Sequence, residues 1–304
     1  MDPLLTTYLA VALDLLVGDP PDPFHPVAWA GRVMEIVAGR LLRGESRLGL
    51  VLGGGVTLAA GIAVLTGVCA LLHLIPAVGD ALVLWVCLSA RGLVEHVVQV
   101  GERLRRGDLE GARERVRLLV SRDVSRLDEG RVASAAVESC YENLLDSLVG
   151  PLWWFHVAGW WAVPVYRAVN IADAMFGYRE GKLEAFGKVP ARMDDAMNLA
   201  ALPCCALVLT VALPWWVASA SISGVRAAVR EVESPCSWLP MYVGACALRV
   251  RLEKPGEYVL RGGSSLPGWE EVMDAAGAVW VVAILAPVIT HLASSLVSAG
   301  LQAF

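Results

Sequence analysis

Leu48–Ile75, LGLVLGGGVTLAAGIAVLTGVCALLHLI, decides the class of this chain. It contains no Asp, Glu, Lys or Arg and is longer than the roughly 20 apolar residues that carry a helix across a bilayer core about 30 Å thick. Leu199–Gly224 and Ala275 to the C-terminus share this character. The only side chains in the three stretches that titrate near neutrality are His73, His291 and a few cysteines. The 304-residue chain is 56% hydrophobic and 18% charged with a mean hydropathy of +0.57, whereas soluble domains carry about 25% charged residues. The sequence therefore predicts an all-α, polytopic membrane helical bundle with helical extramembrane loops.

No repeat, low-complexity linker or charge block divides the chain, so residues 1–304 read as a single integral membrane domain. Apolar segments are expected at about 4–17, 48–75, 77–97, 149–166, 199–224 and 275–304, with polar loops at 18–47, 91–148, 170–198 and 225–274. Leu4–Val17 has no basic residue before it, contains Asp14 and lacks a small-residue cleavage site, which argues against a signal peptide. It reads as an intramembrane or interfacial helix that stays in the mature protein. Pro76 and Gly79 break the first long span, and Ala81–Ala90 begins a return helix. In the long arginine-rich loop, GDLEGARERVRLLVSRD has leucine and valine at helical spacing, with Gly107-Asp108 as turn and cap.

The segment PLWWFHVAGWWAVPVYR (151–167) needs a different reading. Its Trp pairs, 153/154 and 160/161, lie seven residues apart, about 10 Å along a helix. Trp favours the membrane–water interface, and 10 Å cannot separate two interfaces of a core about 30 Å thick. Pro151, Gly159 and Pro164 further interrupt a helix. A short re-entrant or interfacial hairpin is favoured over a crossing. It would return Arg167 onward to the side holding residues 138–146.

Candidate chemistry starts with ESCYENLLDS (138–147). Glu138, Glu142 and Asp146 recur every four residues and so share one helical side, where like charges repel by a few tenths of a kcal/mol per pair. Such a run is usually a solvated face. Here Asn143 joins it, and a second cluster follows at Arg192, Asp194, Asp195 and Asn198, with Tyr166, Arg167, Asn170, Asp173, Tyr178, Arg179 and Lys182 between. Clustered carboxylates and amides suit Mg²⁺, which prefers oxygen ligands and bridges to phosphates, and arginines suit the phosphate oxygens. A magnesium–phosphate site at the membrane surface is the functional reading, with Glu138, Glu142 and Asp146 as candidate Mg²⁺ ligands. In the rigid turn DLLVGDPPDPFHPVAWAGR (14–32), His25 could be a ligand or acid–base group, although a lone His in a proline turn is more often structural.

Other patterns carry less. Gly53-Gly54-Gly55 lacks the Lys-Ser/Thr of a P-loop and suits close helix packing. Gly262-Gly263-Ser264-Ser265 reads as a flexible loop. The seven cysteines show no CxxC or zinc spacing and read as packing residues in a reducing compartment. A net charge of −5 without a basic stripe argues against nucleic acid as a partner.

Taken in order, DLLVGDP…HPVAWAGR, SRDVSRLDEGRVASAAVESCYENLLDS…PL, YRAVNIADAMFGYRE and FGKVPARMDDAMN resemble the adenosylcobinamide-phosphate synthases of cobalamin biosynthesis, the CobD/CbiB family. The match covers about residues 8–200 and thins to SP…P at 234–240. The resemblance implies amide ligation of an aminoalcohol phosphate, of aminopropanol type, to a side-chain carboxylate of adenosylcobyric acid, giving adenosylcobinamide phosphate. ATP-dependent activation with Mg²⁺ follows by chemical analogy. On this reading the corrinoid is a substrate and not a bound cofactor. Glu142, Asp146, Asp194 and Asp195 are the expected catalytic residues. Asp19, His25, Asn143, Arg167, Asn170, Asp173, Tyr178, Arg179, Arg192 and Asn198 are expected to bind substrate and phosphate. The lipid bilayer and other corrinoid-pathway enzymes are the implied partners, and the cell membrane, with catalytic loops in the cytoplasm, the implied location. The chain departs from the family at Leu144 (usually Thr), after Asp194-Asp195, where the usual arginine is missing, and in SPCSWLPM, with Cys236 for Asn and Met241 for Glu. These departures point to a shifted substrate preference. A transporter or non-catalytic scaffold is the rival reading; a transporter should carry ionisable residues within its spans, and these spans have almost none.

Overall fold

A computed structural model describes residues 1–302. Among them, four helical stretches are long and apolar enough to cross a membrane: Arg47–His73, Gly79–Arg105, Lys188–Ala212 and Trp269–Gly300. The protein is a polytopic helical membrane protein. Its chain folds into two compact units. The first comprises residues 1–89, 150–201 and the C-terminal part from Thr290, the second residues 90–149 and 202–289.

The first unit begins with α1 (Pro3–Val17), capped by the Asp2 carboxylate accepting from the Leu4 and Leu5 amides. α2 (Pro26–Leu41) starts with proline in its first turn and ends before α3 (Arg47–His73). α3 is 27 residues long, about 40 Å. Leu52 and Val56 are exposed on it, while Gly53, Gly54, Thr57, Gly61 and Leu65 are buried. Small residues let neighbours approach where both sides are already apolar. A Cβ on Gly61 would meet Met34 of α2, and one on Gly54 would overlap the Phe186 carbonyl. Phe186 ends α10 (Leu183–Phe186).

Pro76 and Gly79 do interrupt the chain, and α4 (Gly79–Trp85) returns against α3 and α1. The 149–166 segment is not one straight helix. α8 (Gly150–Ala158) stops at Gly159, whose φ of +87° is the left-handed conformation that glycine adopts at low cost. α9 (Ala162–Phe176) then packs back on α8. α8 and α9 thus form a hairpin of two packed helical arms. α11 (Lys188–Ala212) differs from expectation: 188–198, read as part of a loop, forms its first turns, and the helix ends well before Gly224. Charge ended the apolar segment at 199, but charge does not end a helix.

Gly54→Ala is expected to destabilise the protein by about 1–3 kcal/mol, because the obstacle is backbone and cannot rotate aside. Gly67→Ala on the same helix, with nothing within 4 Å of the added carbon, should be neutral or slightly stabilising. Thermal unfolding in detergent compares the two. Equal melting temperatures would mean that α3 can shift away from Phe186.

The second unit is built around α7 (Glu129–Leu144), whose residues from Val132 to Tyr141 are all buried. α5 (Ala90–Arg105) and α6 (Leu109–Val116) pack against it. Asp108 caps α6 by accepting from the Gly111 amide at 2.9 Å, and Gly107 supplies a positive φ of +72°, as Gly107-Asp108 predicted. α12 (Trp216–Ser219), α13 (Ile222–Glu231), α14 (Trp238–Leu248) and the start of α15 (Trp269–Gln302) complete the helices. The 225–274 loop also holds an antiparallel hairpin, β1 (Arg251–Lys254) and β2 (Tyr258–Arg261), with Leu252 opposite Leu260. Pro255-Gly256 between two short runs is a local signal for it that the reading of 225–274 as a polar loop passed over. β1 docks on α7, where the Glu253 amide donates to Ser134 Oγ at 2.8 Å.

Candidate active site

The expected site residues fall into both units. In the second, α7 carries Glu138, Glu142 and Asn143, and a π-helical turn, Leu145–Val149, carries Asp146. Single π-turns within helices occur frequently at functional sites. Glu138 is buried, and both of its oxygens are engaged. Ser134 Oγ donates to one at 2.6 Å; Arg122 Nη2, at 3.1 Å, and the Tyr258 hydroxyl, at 2.9 Å, donate to the other. Burial still holds its carboxyl above the usual range, with Arg122 as the main opposing influence.

Glu142 is half-buried and accepts from Ser237 Oγ at 2.6 Å. Burial raises its carboxyl too; the hydrogen bond from Ser237 opposes this, the negative charges of Asp146 and Glu138 add to it, and Lys254 offsets part. Glu142 thus feels the charge of both other acids of the four-residue series. Asn143 donates back to Ser139, to its carbonyl at 2.8 Å and its hydroxyl at 3.1 Å, which stiffens the helix between the acids. Ser237 places the divergent SPCSWLPM segment at Glu142. Cys236 and Met241 are buried, and Met241 Sδ lies 3.7 Å from the Tyr258 hydroxyl.

In the first unit, Asp19 follows α1 and accepts from Ser89 Oγ at 2.8 Å. His25 caps α2 by accepting the Val27 amide on Nδ1 at 3.2 Å, which leaves its proton on Nε2. Burial lowers its pKa; Asp19 and Asp22 pull it up and Arg167 pushes it further down. Asp19, His25 and Arg167 thus form one electrostatic group. Arg167 Nη1 donates to Asn170 on α9 at 3.1 Å, and its Nε is buried with no hydrogen-bond partner. A second group runs from the Tyr166 hydroxyl to Asn198 Oδ1 at 2.6 Å, and from Asn198 Nδ2 to Asp194 Oδ2 at 2.9 Å. Asp195 and Asp173 are half-buried; Tyr178, Arg179 and Arg192 are exposed. The residues that sequence reading missed are Arg122, Ser134, Ser237, Tyr258 and Lys254. Arg122 and Ser237 lay inside motifs already singled out; Tyr258 gave no signal beyond the hairpin itself.

Because His25 is uncharged over more of the pH range when folded, the folded state loses relative stability as pH falls below the ordinary histidine value of 6.5, and the loss stops below the lowered value. His25→Asn keeps a capping side chain and should remove that part of the acid loss. Unfolding followed from pH 7.5 to 5 checks this; parallel curves for both proteins would refute it.

Among the described residues, no three His, Cys, Asp or Glu side chains are grouped as ligands for one metal ion. The family model described as CobD/Cbib protein matches residues 7–294. A probable cobalamin biosynthesis protein CobD of Pyrococcus abyssi is 37% identical over 270 residues, 86% of this chain and 87% of the relative. The cobalamin biosynthesis protein CobD of Dehalococcoides mccartyi is 32% identical, covering 93% of this chain and 96% of the relative. That of Klebsiella pneumoniae is 34% identical, covering 84% and 83%. No solved structure matches the chain.

Proposed function

The chain belongs to the CobD/Cbib family of cobalamin-biosynthesis proteins, and on that premise we propose that it is an ATP-dependent acid–amine ligase. It joins an aminoalcohol phosphate of aminopropanol type to a carboxylate of adenosylcobyric acid, giving adenosylcobinamide phosphate. The observation that carries this reading is the Glu138–Glu142–Asp146 face, where a buried helix keeps acidic groups together against their own repulsion.

The residues fit Mg²⁺ in part. Both Glu138 oxygens are occupied by protein donors, so this residue anchors the face. Glu142 and Asp146 would hold the ion, since Mg²⁺ is commonly bound through one or two carboxylates plus substrate phosphates. ATP with Mg²⁺ supplies the activation that a free carboxylate lacks toward an amine near pH 7. The remaining work belongs to the chain. Arg167, with Nε unpartnered, and exposed Arg179 and Arg192 hold phosphate oxygens through their planar forks. Asp194, fixed by Asn198 and Tyr166, with Asp195 orients the attacking amine and takes its proton.

The test is turnover by the purified protein. ATP should be consumed only when corrinoid acid and aminoalcohol phosphate are both present, with the amide as product. ATP consumption without either substrate, or none with both, would return the chain to the scaffold or transporter reading. We also place the polar segments outside the spans, around residues 126 and 182, in one compartment, the cytoplasm, where arginine-rich short loops tend to stay. All seven native cysteines are buried, so single cysteines at 126 and 182 can be labelled selectively. Both should react from the same side; reaction from opposite sides would rule out a re-entrant α8–α9 hairpin.

A further inference from the structure

Away from the candidate site, the first unit contains a cavity of about 330 Å³ lined by Pro3, His156, His291, Ser294, Ser295, Ser298 and Ala299. The imidazoles of His156, on α8, and His291, on α15, have ring centroids 5.1 Å apart at an interplanar angle of 64°. His156 Nε2 is buried with no hydrogen-bond partner. The serine hydroxyl hydrogens are already committed. Ser294 and Ser295 each donate to the His291 carbonyl at 2.9 Å, and Ser298 donates to the Ser294 carbonyl at 3.0 Å. Their oxygen lone pairs remain available as acceptors.

The lining contains no Lys or Arg, which argues against an anion. The Asp2 carboxylate, which acts on His156 through space, favours a cation. Imidazole nitrogen suits zinc, copper and nickel, whereas Mg²⁺ and Ca²⁺ seek oxygen. Two imidazoles on one tetrahedral ion, with metal–nitrogen bonds of about 2 Å, hold their ring centroids about 5 Å apart. The observed separation matches. A bare cation is also smaller than water and can reach the buried His156 Nε2.

We propose that His156 and His291 form a binding site for a divalent transition-metal ion, completed by water or serine oxygens. Such an ion clips α8 to the end of α15 and fixes the arm of the Gly159 hairpin. Nothing in this assignment depends on the proposed ligase activity.

The experiment uses the full chain, purified in detergent without tag histidines and stripped with chelator. Zn²⁺ is the probe, read by metal content, X-ray absorption and thermal unfolding. One ion per chain is expected, with two imidazole nitrogens in its coordination shell, an increase in melting temperature on addition, and no increase with Mg²⁺. His156→Gln and His291→Gln should each weaken binding by about tenfold or more and remove the thermal shift, leaving the metal-free melting temperature and helical content near wild type. If one variant fails to fold, the other carries the test. The proposal is overturned if wild type binds no Zn²⁺, if sulfur appears in the coordination shell, or if the double variant binds as wild type does.

Discussion

Glu142→Gln is expected to lower turnover by about 10²-fold or more while leaving the fold intact. A charged oxygen aimed at developing charge in a partly dry site commonly contributes on that scale, and glutamine offers no such charge. The stability effect runs the other way. Burial and the negative charges of Asp146 and Glu138 hold the Glu142 carboxyl above the usual range, although Ser237 and Lys254 act in the opposite direction. The folded state therefore loses stability as pH rises from the ordinary carboxylate range through that raised value. Glutamine removes this loss and still accepts the Ser237 hydrogen bond. The amide-forming assay and unfolding at pH 5 and pH 8 measure both halves. Turnover near wild type would make this face an ordinary structural one.

Glu138→Ala should behave in the opposite manner, with a stability loss of about 3–5 kcal/mol. Removing one partner of a buried ion pair leaves the other charge uncompensated, and Arg122 already has Nε and Nη1 buried without partners. Tyr258 and Ser134 would lose their acceptor as well. Glu138→Gln keeps acceptor geometry and should lose less. Denaturant unfolding in detergent distinguishes the two acids: Glu142 affects turnover, Glu138 the fold. A Glu138→Ala protein as stable as wild type would refute this division.

The distinction could not be read from residues 138–146 alone, where both glutamates sit at the same helical spacing. What separates them comes from far along the chain: Arg122 is 16 residues away, Ser237 is 95 residues from Glu142, and Tyr258 is 120 residues from Glu138. Short-range periodicity identifies a face, but not what the tertiary fold brings against it. Where the controlling physics is local, the sequence was legible. The absence of charge at 48–75 marked a helix observed at Arg47–His73, and Gly159 itself marked the interruption between α8 and α9. Loop 170–198 was misread in part because hydropathy reports solvent preference. Ala, Arg, Met and Leu between 191 and 202 are all good helix formers, and α11 runs through them.

The π-helical turn at Leu145–Val149 has a consequence for rotational phase. A π-turn accommodates one extra residue in the helical ladder, so side chains before and after it are offset from ordinary α-helical register. Deleting one residue there would leave the downstream α8 side chains in place, whereas straightening that turn into regular α-helix with every residue kept would turn each of them by about 100°. Leu152, Trp153 and Phe155, buried at present, would leave the faces they fill. That single supernumerary residue thus sets the azimuth in which Leu152, Trp153 and Phe155 reach the faces they fill.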